Sequence, residues 1–208
     1  DFLRYVPAVE KLCQVDPLQV CNIDSTDMTP DRWLDIARAV EAGYDHYDGF
    51  VLCHGTDTLP TRRRPSATSS RQPQAHRPHR RAKAIGQEIT DAKVNLRDSI
   101  LYAADSLSCG VQIVFDGKVI AGTRAKKTKT LSYAAFSSIN FPILATIHDG
   151  RIIRYLPPEK TDGQAVFCDK LNPRVFLLKL TPGISPMLLS DIFRLYDCII
   201  IESFGVGG

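Results

Sequence analysis

Apolar and polar positions along this chain fall into short runs that switch between strand and helix spacing. Leu18 to Ile23 reads as a strand. Thr29-Pro30-Asp31 then opens a helix, with Thr29 as N-cap and Pro30 at its first position, running to about Ala42-Gly43. Phe50 to Cys53 is a continuous apolar run, the pattern of a buried strand. From Asp91 to Leu107 the apolar residues Val94, Leu96, Ile100, Leu101 and Ala104 recur at helical spacing. Val111 to Phe115 and Lys118 to Ala121 flank Asp116-Gly117 and predict a hairpin. Ile143 to Ile147 and Ile152 to Tyr155 read as extended on either side of Asp149-Gly150. A strand at Val175 to Leu180, a Thr181-Pro182-Gly183 turn, a helix from Ser185 to Leu195 and a strand at Cys198 to Glu202 complete the pattern.

This alternation predicts an α/β protein. A mixed or parallel sheet flanked by helices forms an N-terminal domain at 1–155. A Pro-rich linker follows at 156–164, and 165–208 starts a smaller α/β C-terminal domain. Only the segment 61–82 breaks the pattern. Its apolar residues are all alanines, and it is rich in Arg, Pro, Ser and Gln. A stretch of that composition buries too little surface to offset the entropy of ordering it, which predicts disorder.

Charge changes the picture at the same place. The chain carries a formal net charge of +3, but residues 61–83 hold eight basic residues and no acid. The remainder has 18 basic against 23 acidic residues, a net of −5. Basicity is therefore local. It fits an arm binding nucleic acid through phosphates, using 62–83, or sequence foreign to the fold. No aromatic residue interleaves with these arginines for base stacking, which favours the second reading. His76 and His79 alone make no metal site. No apolar run approaches the roughly 20 residues that span a bilayer. The six cysteines are scattered without a Cys-x-x-Cys pair, and Cys53 and Cys198 sit inside apolar runs. They predict packed free thiols and a reducing, cytoplasmic setting.

Three polar clusters follow apolar runs: Asp24-Ser25-Thr26-Asp27-Met28, Thr56-Asp57 after His54-Gly55, and Lys126-Lys127-Thr128-Lys129-Thr130. Each has an ordinary reading, as a helix N-cap, a turn and a solvated basic loop respectively. Taken together they offer a hydroxyl, a carboxylate and a lysine. A threonine hydroxyl becomes reactive when a base takes its proton, and a lysine whose pKa is lowered can be that base. A carboxylate then balances the ammonium, which is triad logic with lysine in place of histidine.

The blocks 22–30 (Asn-Ile-Asp-Ser-Thr-Asp-Met-Thr-Pro), 50–58 (Phe-Val-Leu-Cys-His-Gly-Thr-Asp-Thr), 90–98, 122–130 and 181–185 occur in an order that resembles the L-asparaginase family, in its cytoplasmic type I branch. The resemblance runs over nearly the whole chain except about 61–82. It implies hydrolysis of L-asparagine to L-aspartate and ammonia through a threonine-linked acyl-enzyme, without metal or organic cofactor. It further implies Thr56 as the second catalytic threonine, Lys127 as proton acceptor, and Asp57 as partner of Lys127 and holder of the substrate α-amino group. Asp24, Ser25 and Thr26 would line the site for the α-carboxylate end. The implied assembly is a homodimer or homotetramer with a small-molecule substrate; composition speaks against a membrane, and nucleic acid is the disfavoured partner.

Glutamine hydrolysis, or service as the amidase part of a tRNA-dependent amidotransferase, fits the same resemblance. The sequence also departs from the family. Its Thr-Gly-Gly-Thr motif, the source of the primary nucleophile, has no match in residues 1–20. Segment 61–82 resembles a stretch translated between two compensating frame shifts. The chain thus reads as truncated at both ends, and inactive by itself.

Overall fold

Two tight turns organise the larger sheet of the computed structural model, which describes residues 6–56, 77–78, 91–129, 134–158 and 165–205. β3 (Gln112–Phe115) and β4 (Lys118–Ala121) pair antiparallel across Asp116-Gly117, whose φ angles are 51° and 66°. β7 (Ala145–His148) and β8 (Arg151–Arg154) pair across Asp149-Gly150, at 48° and 74°. Positive φ at both central residues is the type I′ geometry, whose twist matches that of the flanking strands, and Asp-Gly suits it best. Glycine at 117 is needed twice over. Besides its φ, a Cβ there would lie 2.9 Å from the Ile147 carbonyl, where β4 and β7 meet. The sheet order is β3-β4-β7-β8.

Both faces of this sheet are covered. On one, Ile113, Phe115 and Ile120 pack with Ala125, Ala135 and Phe136, and the Phe115 and Phe136 rings meet edge-on at 5.2 Å. On the other, Val114, Val119, Ala145 and Ile147 pack beneath Tyr102 and Ala103 of helix α2 (Asp91–Ala103). Alternate residues of β3 and β4 thus enter different cores, and the strands read as unbroken apolar runs.

α2 departs from the sequence expectation in length and face. It ends at Ala103 rather than Leu107, and Val94 is 50% exposed. The buried residues are Ala92, Asn95, Leu96, Asp98, Ser99, Ile100, Tyr102 and Ala103, an i, i+3, i+4, i+7 row widened by Asp98 and Tyr102, in which Asn95, Asp98 and Ser99 are polar. Asn95 belongs there because the turn beneath it has an unpaired amide. The Asp116 backbone N–H donates to Asn95 Oδ1 at 2.9 Å, across 21 residues of sequence. Beyond the helix, Arg154 of β8 donates to Asp105 and Ser108 and sits over the Tyr102 ring, tying the last strand to the helix end.

α1 (Pro30–Gly43) forms as expected, with Thr29 Oγ1 accepting from the Arg32 amide and Ile36 and Val40 buried. Leu18 to Ile23, by contrast, is irregular, with Leu18 74% exposed. No described strand pairs with it, and without a ladder an extended segment has no strand to join. The apolar run 50–53 contributes only its last residue to β1 (Cys53–His54), which pairs in parallel with β2 (Arg77–Pro78). That bridge corrects the expectation of disorder at 77–78, because backbone pairing requires no apolar side chains. The rest of 61–83 lies outside the described residues. Cys53 and Cys198 are exposed rather than packed.

The chain separates into two compact units, Asp1–Asp169 and Lys170–Gly208. In the second, β9 (Val175–Lys179) and β10 (Cys198–Glu202) pair in parallel, joined through helix α3 (Pro186–Leu195). Thr181-Pro182-Gly183 makes the expected turn, the Ile184 amide donating to the Thr181 carbonyl with Gly183 at φ 82°. Parallel and antiparallel strands with helices make the architecture α/β. Among the described residues no helix is long and apolar enough to cross a membrane.

The polar stripe makes a stability prediction. Asn95→Ala leaves the Asp116 amide without its acceptor and costs about 1–3 kcal/mol, whereas Val94→Ala stays within about 0.5 kcal/mol. Urea denaturation followed by far-ultraviolet circular dichroism measures both, and a larger loss from Val94 would return the buried face to the apolar-only stripe.

Candidate active site

β1 ends where the chain leaves the sheet at Gly55, and Gly55 lies directly against Ser25. A Cβ at position 55 would stand 2.5 Å from both the Cβ and the Oγ of Ser25. Gly55 is not among the glycines with positive φ, so the requirement is space rather than torsion. Ser25 is 6% exposed and Thr56 3% exposed. Two segments that the sequence separates by some thirty residues therefore meet at Gly55, with buried Ser25 at that contact and buried Thr56 the next residue along the chain.

The first segment is shaped by its own hydrogen bonds. Ser25–Asp27 forms a short 3-10 turn capped by Asp24, whose Oδ1 accepts from the Thr26 amide and the Thr26 hydroxyl, each at 2.9 Å. The backbone bond first, and the hydroxyl second, hold the Asp24 carboxyl below its ordinary range, against a smaller opposing effect of desolvation. Asp24 and Thr26 are exposed while Ser25 points inward. Thr29 then caps α1, and Trp33, one turn into that helix, stacks on His54 with ring centroids 4.9 Å apart and planes at 15°. The segment 24–33 is thus held to β1 at two successive contacts, Ser25 on Gly55 and Trp33 on His54.

Lys127 stands on a separate ribbon, in which β5 (Ala125–Lys127) pairs antiparallel with β6 (Phe136–Ser138) and Lys127 faces Phe136 in register. Alternation along β5 separates the lysines. Ala125 is buried and Lys127, on the same face, is half-buried, while Lys126 is on the other face and exposed. The ribbon continues past Lys127 through the Thr128 amide on the Ala135 carbonyl and a 2.7 Å contact between the Thr128 and Ser137 hydroxyls. Asp57 lies outside the described residues. Among those described, no three His, Cys, Asp or Glu side chains converge as a metal site requires. Trp33 and His54 carried no role in the sequence reading. The signal was available, since Trp33 is the only tryptophan and follows the 24–28 cluster by one helical turn.

A family model described as "Asparaginase, N-terminal" matches residues 1–61 and 82–160. The chain belongs to the asparaginase family. The match skips 62–81, the stretch where composition breaks. The L-asparaginase of Thermococcus kodakarensis is 33% identical over 196 residues, covering 94% of this chain and 60% of that protein. L-asparaginase 1 of Escherichia coli K12 is 31% identical over 195 residues, covering 89% and 56%. The solved structure of the thermostable Thermococcus enzyme superposes with a TM-score of 0.79 at 31% identity, over 97% of this chain and 63% of that one. A probable cytoplasmic L-asparaginase from Campylobacter jejuni shares the fold, with a TM-score of 0.82 at 22% identity over 100% and 67%. The chain spans less than two thirds of the length of the two sequence relatives.

Two measurements test this corner of the chain. Gly55→Ala costs about 1–3 kcal/mol by overpacking, and adding Ser25→Gly to it regains part of that loss, a non-additive cycle. Additive energies in urea denaturation would mean the two residues do not touch. Separately, a carbon-detected NMR titration places Asp24 below an ordinary aspartate. Thr26→Val raises it part of the way, since the Thr26 amide remains. Because the folded-state value is the lower one, the bond's contribution is present above the unfolded pKa and disappears as pH falls through the folded one.

Proposed function

We propose that this protein hydrolyses the side-chain amide of L-asparagine to L-aspartate and ammonia, with Thr56, Lys127 and Asp57 as its proton-handling set. Thr56 gives its hydroxyl proton to the Lys127 amine and takes one from the water it positions, as that water oxygen bonds to the acyl carbon. The Lys127 ammonium then returns a proton to the leaving group, so protons balance over the cycle. Asp57 balances the ammonium and takes the substrate α-amino group. Asp24, Ser25 and Thr26 line the site at the α-carboxylate end. The threonine that carries the acyl group belongs to the family's first-strand motif, which residues 1–20 do not match.

The observation that carries this reading is the Ser25–Gly55 contact, which holds the 24–26 cluster beside the buried Thr56. The face of β5 supports Lys127 over Lys126, because only the former shares a side with buried Ala125. Family membership supplies the substrate class. Cytoplasmic residence and a homodimeric or homotetrameric assembly belong to the same proposal, as does a division into an N-terminal domain, a linker at 156–164 and a smaller C-terminal domain.

The test is ammonia release from L-asparagine by a chimaera in which the Thermococcus relative supplies the first strand ahead of residue 1 and the remaining sequence after residue 208. Thr56→Ala and Lys127→Ala each lower kcat by about 10²-fold to 10⁴-fold with circular dichroism unchanged. Near-normal turnover in either variant would remove that residue from the set, and equal turnover of glutamine would widen the substrate.

A further inference from the structure

The Gly55–Thr56 peptide is held by a second contact, on the side of its carbonyl. His54 Nδ1 lies 2.6 Å from the Gly55 carbonyl oxygen. A carbonyl only accepts, so Nδ1 carries the proton and donates it. The imidazole is kept in that orientation by Trp33, which lies nearly parallel on it at 4.9 Å. Glycine has the freest backbone of any residue, so the peptide following Gly55 takes one orientation only if its neighbours impose it. Ser25 closes off one direction by occupying the space beside the Gly55 Cα. The His54 bond fixes another, because the Gly55 carbonyl and the Thr56 amide share one rigid peptide plane.

We propose that Trp33 and His54 act together as a positioning clamp on the Gly55–Thr56 peptide, setting the direction in which the Thr56 hydroxyl is presented. Neither residue touches the reacting atoms in this scheme. His54 acts through the backbone and Trp33 acts through His54. The role of the presented hydroxyl rests on the asparaginase reading above, but the clamp itself is a matter of backbone geometry and is tested without turnover.

The test uses the 208-residue chain, labelled with carbon-13 and nitrogen-15, and two variants of His54. His54→Phe keeps a flat ring against Trp33 and removes the donor. His54→Asn removes the ring but places a side-chain N–H close to where Nδ1 stood. The Gly55 carbonyl signal moves upfield in His54→Phe and returns toward its original position in His54→Asn. The heteronuclear NOE of the Thr56 amide falls and recovers in parallel, while methyl signals of the Val114–Val119 core stay in place. An unshifted Gly55 carbonyl in His54→Phe overturns the clamp, whatever reaction the protein catalyses. In the chimaera, His54→Phe lowers kcat by about 10-fold to 10²-fold at unchanged KM, the cost of a misplaced reacting group. A shifted carbonyl with unchanged kcat overturns the positioning role. A chimaera in which the parent sequence also fails to turn over asparagine counts against the asparaginase reading alone, leaving the carbonyl signal to decide the clamp.

Discussion

Gly55 has no side chain because Ser25 occupies the space one would need. Most of what is local to the candidate site follows from that contact. With the 24–26 turn pressed on the end of β1, the residues immediately after it must begin α1 beside the same strand. Trp33 then arrives over His54 without any long-range pairing to bring it there. The corner is therefore built from two contacts that run in opposite order along the two segments, Ser25 on Gly55 and then Trp33 on His54. A van der Waals limit of this kind specifies geometry more sharply than a hydrogen bond can, because it has no soft direction in which to stretch.

The larger sheet obeys a different constraint. Its turns are chosen by torsion, Asp-Gly at positive φ in both hairpins, and its two faces are filled by separate apolar clusters. Helix α2 must then cover a turn whose outward amide would otherwise be buried unpaired. Asn95 interrupts the apolar stripe for that reason, and an interruption that would weaken an isolated amphipathic helix is required by its neighbour, while the buried Ser99 hydroxyl donates back to the Asn95 carbonyl of its own helix.

How far the sequence could be read divides along the same line. The hairpins, α1, α3 and the β9–β10 pair were legible because each is announced by local chemistry: Asp-Gly turns, a Thr-Pro or Ser-Pro start, an unbroken apolar run. The face of α2 was not, since a rule that counts only apolar residues selects Val94 over Asn95. Leu18 to Ile23 has strand composition, but a strand is a relation between two segments and composition describes only one. At the site, the polar clusters could be picked out from residue types and family resemblance. The Ser25–Gly55 approach and the Trp33–His54 stack could not, because both depend on how close two distant backbones come.

Trp33 has a practical bearing as well. It is the chain's only tryptophan, and its indole lies on His54 at the end of β1. Tryptophan emission, excited on the long-wavelength side where the seven tyrosines scarcely absorb, is consequently a local signal, reporting whether helix α1 still rests on that strand. The two hairpins and the β9–β10 unit hold no tryptophan and do not contribute to that signal, whereas circular dichroism sees them all. A fluorescence melt that ran ahead of the dichroic one would record the loosening of a single corner rather than the loss of the fold.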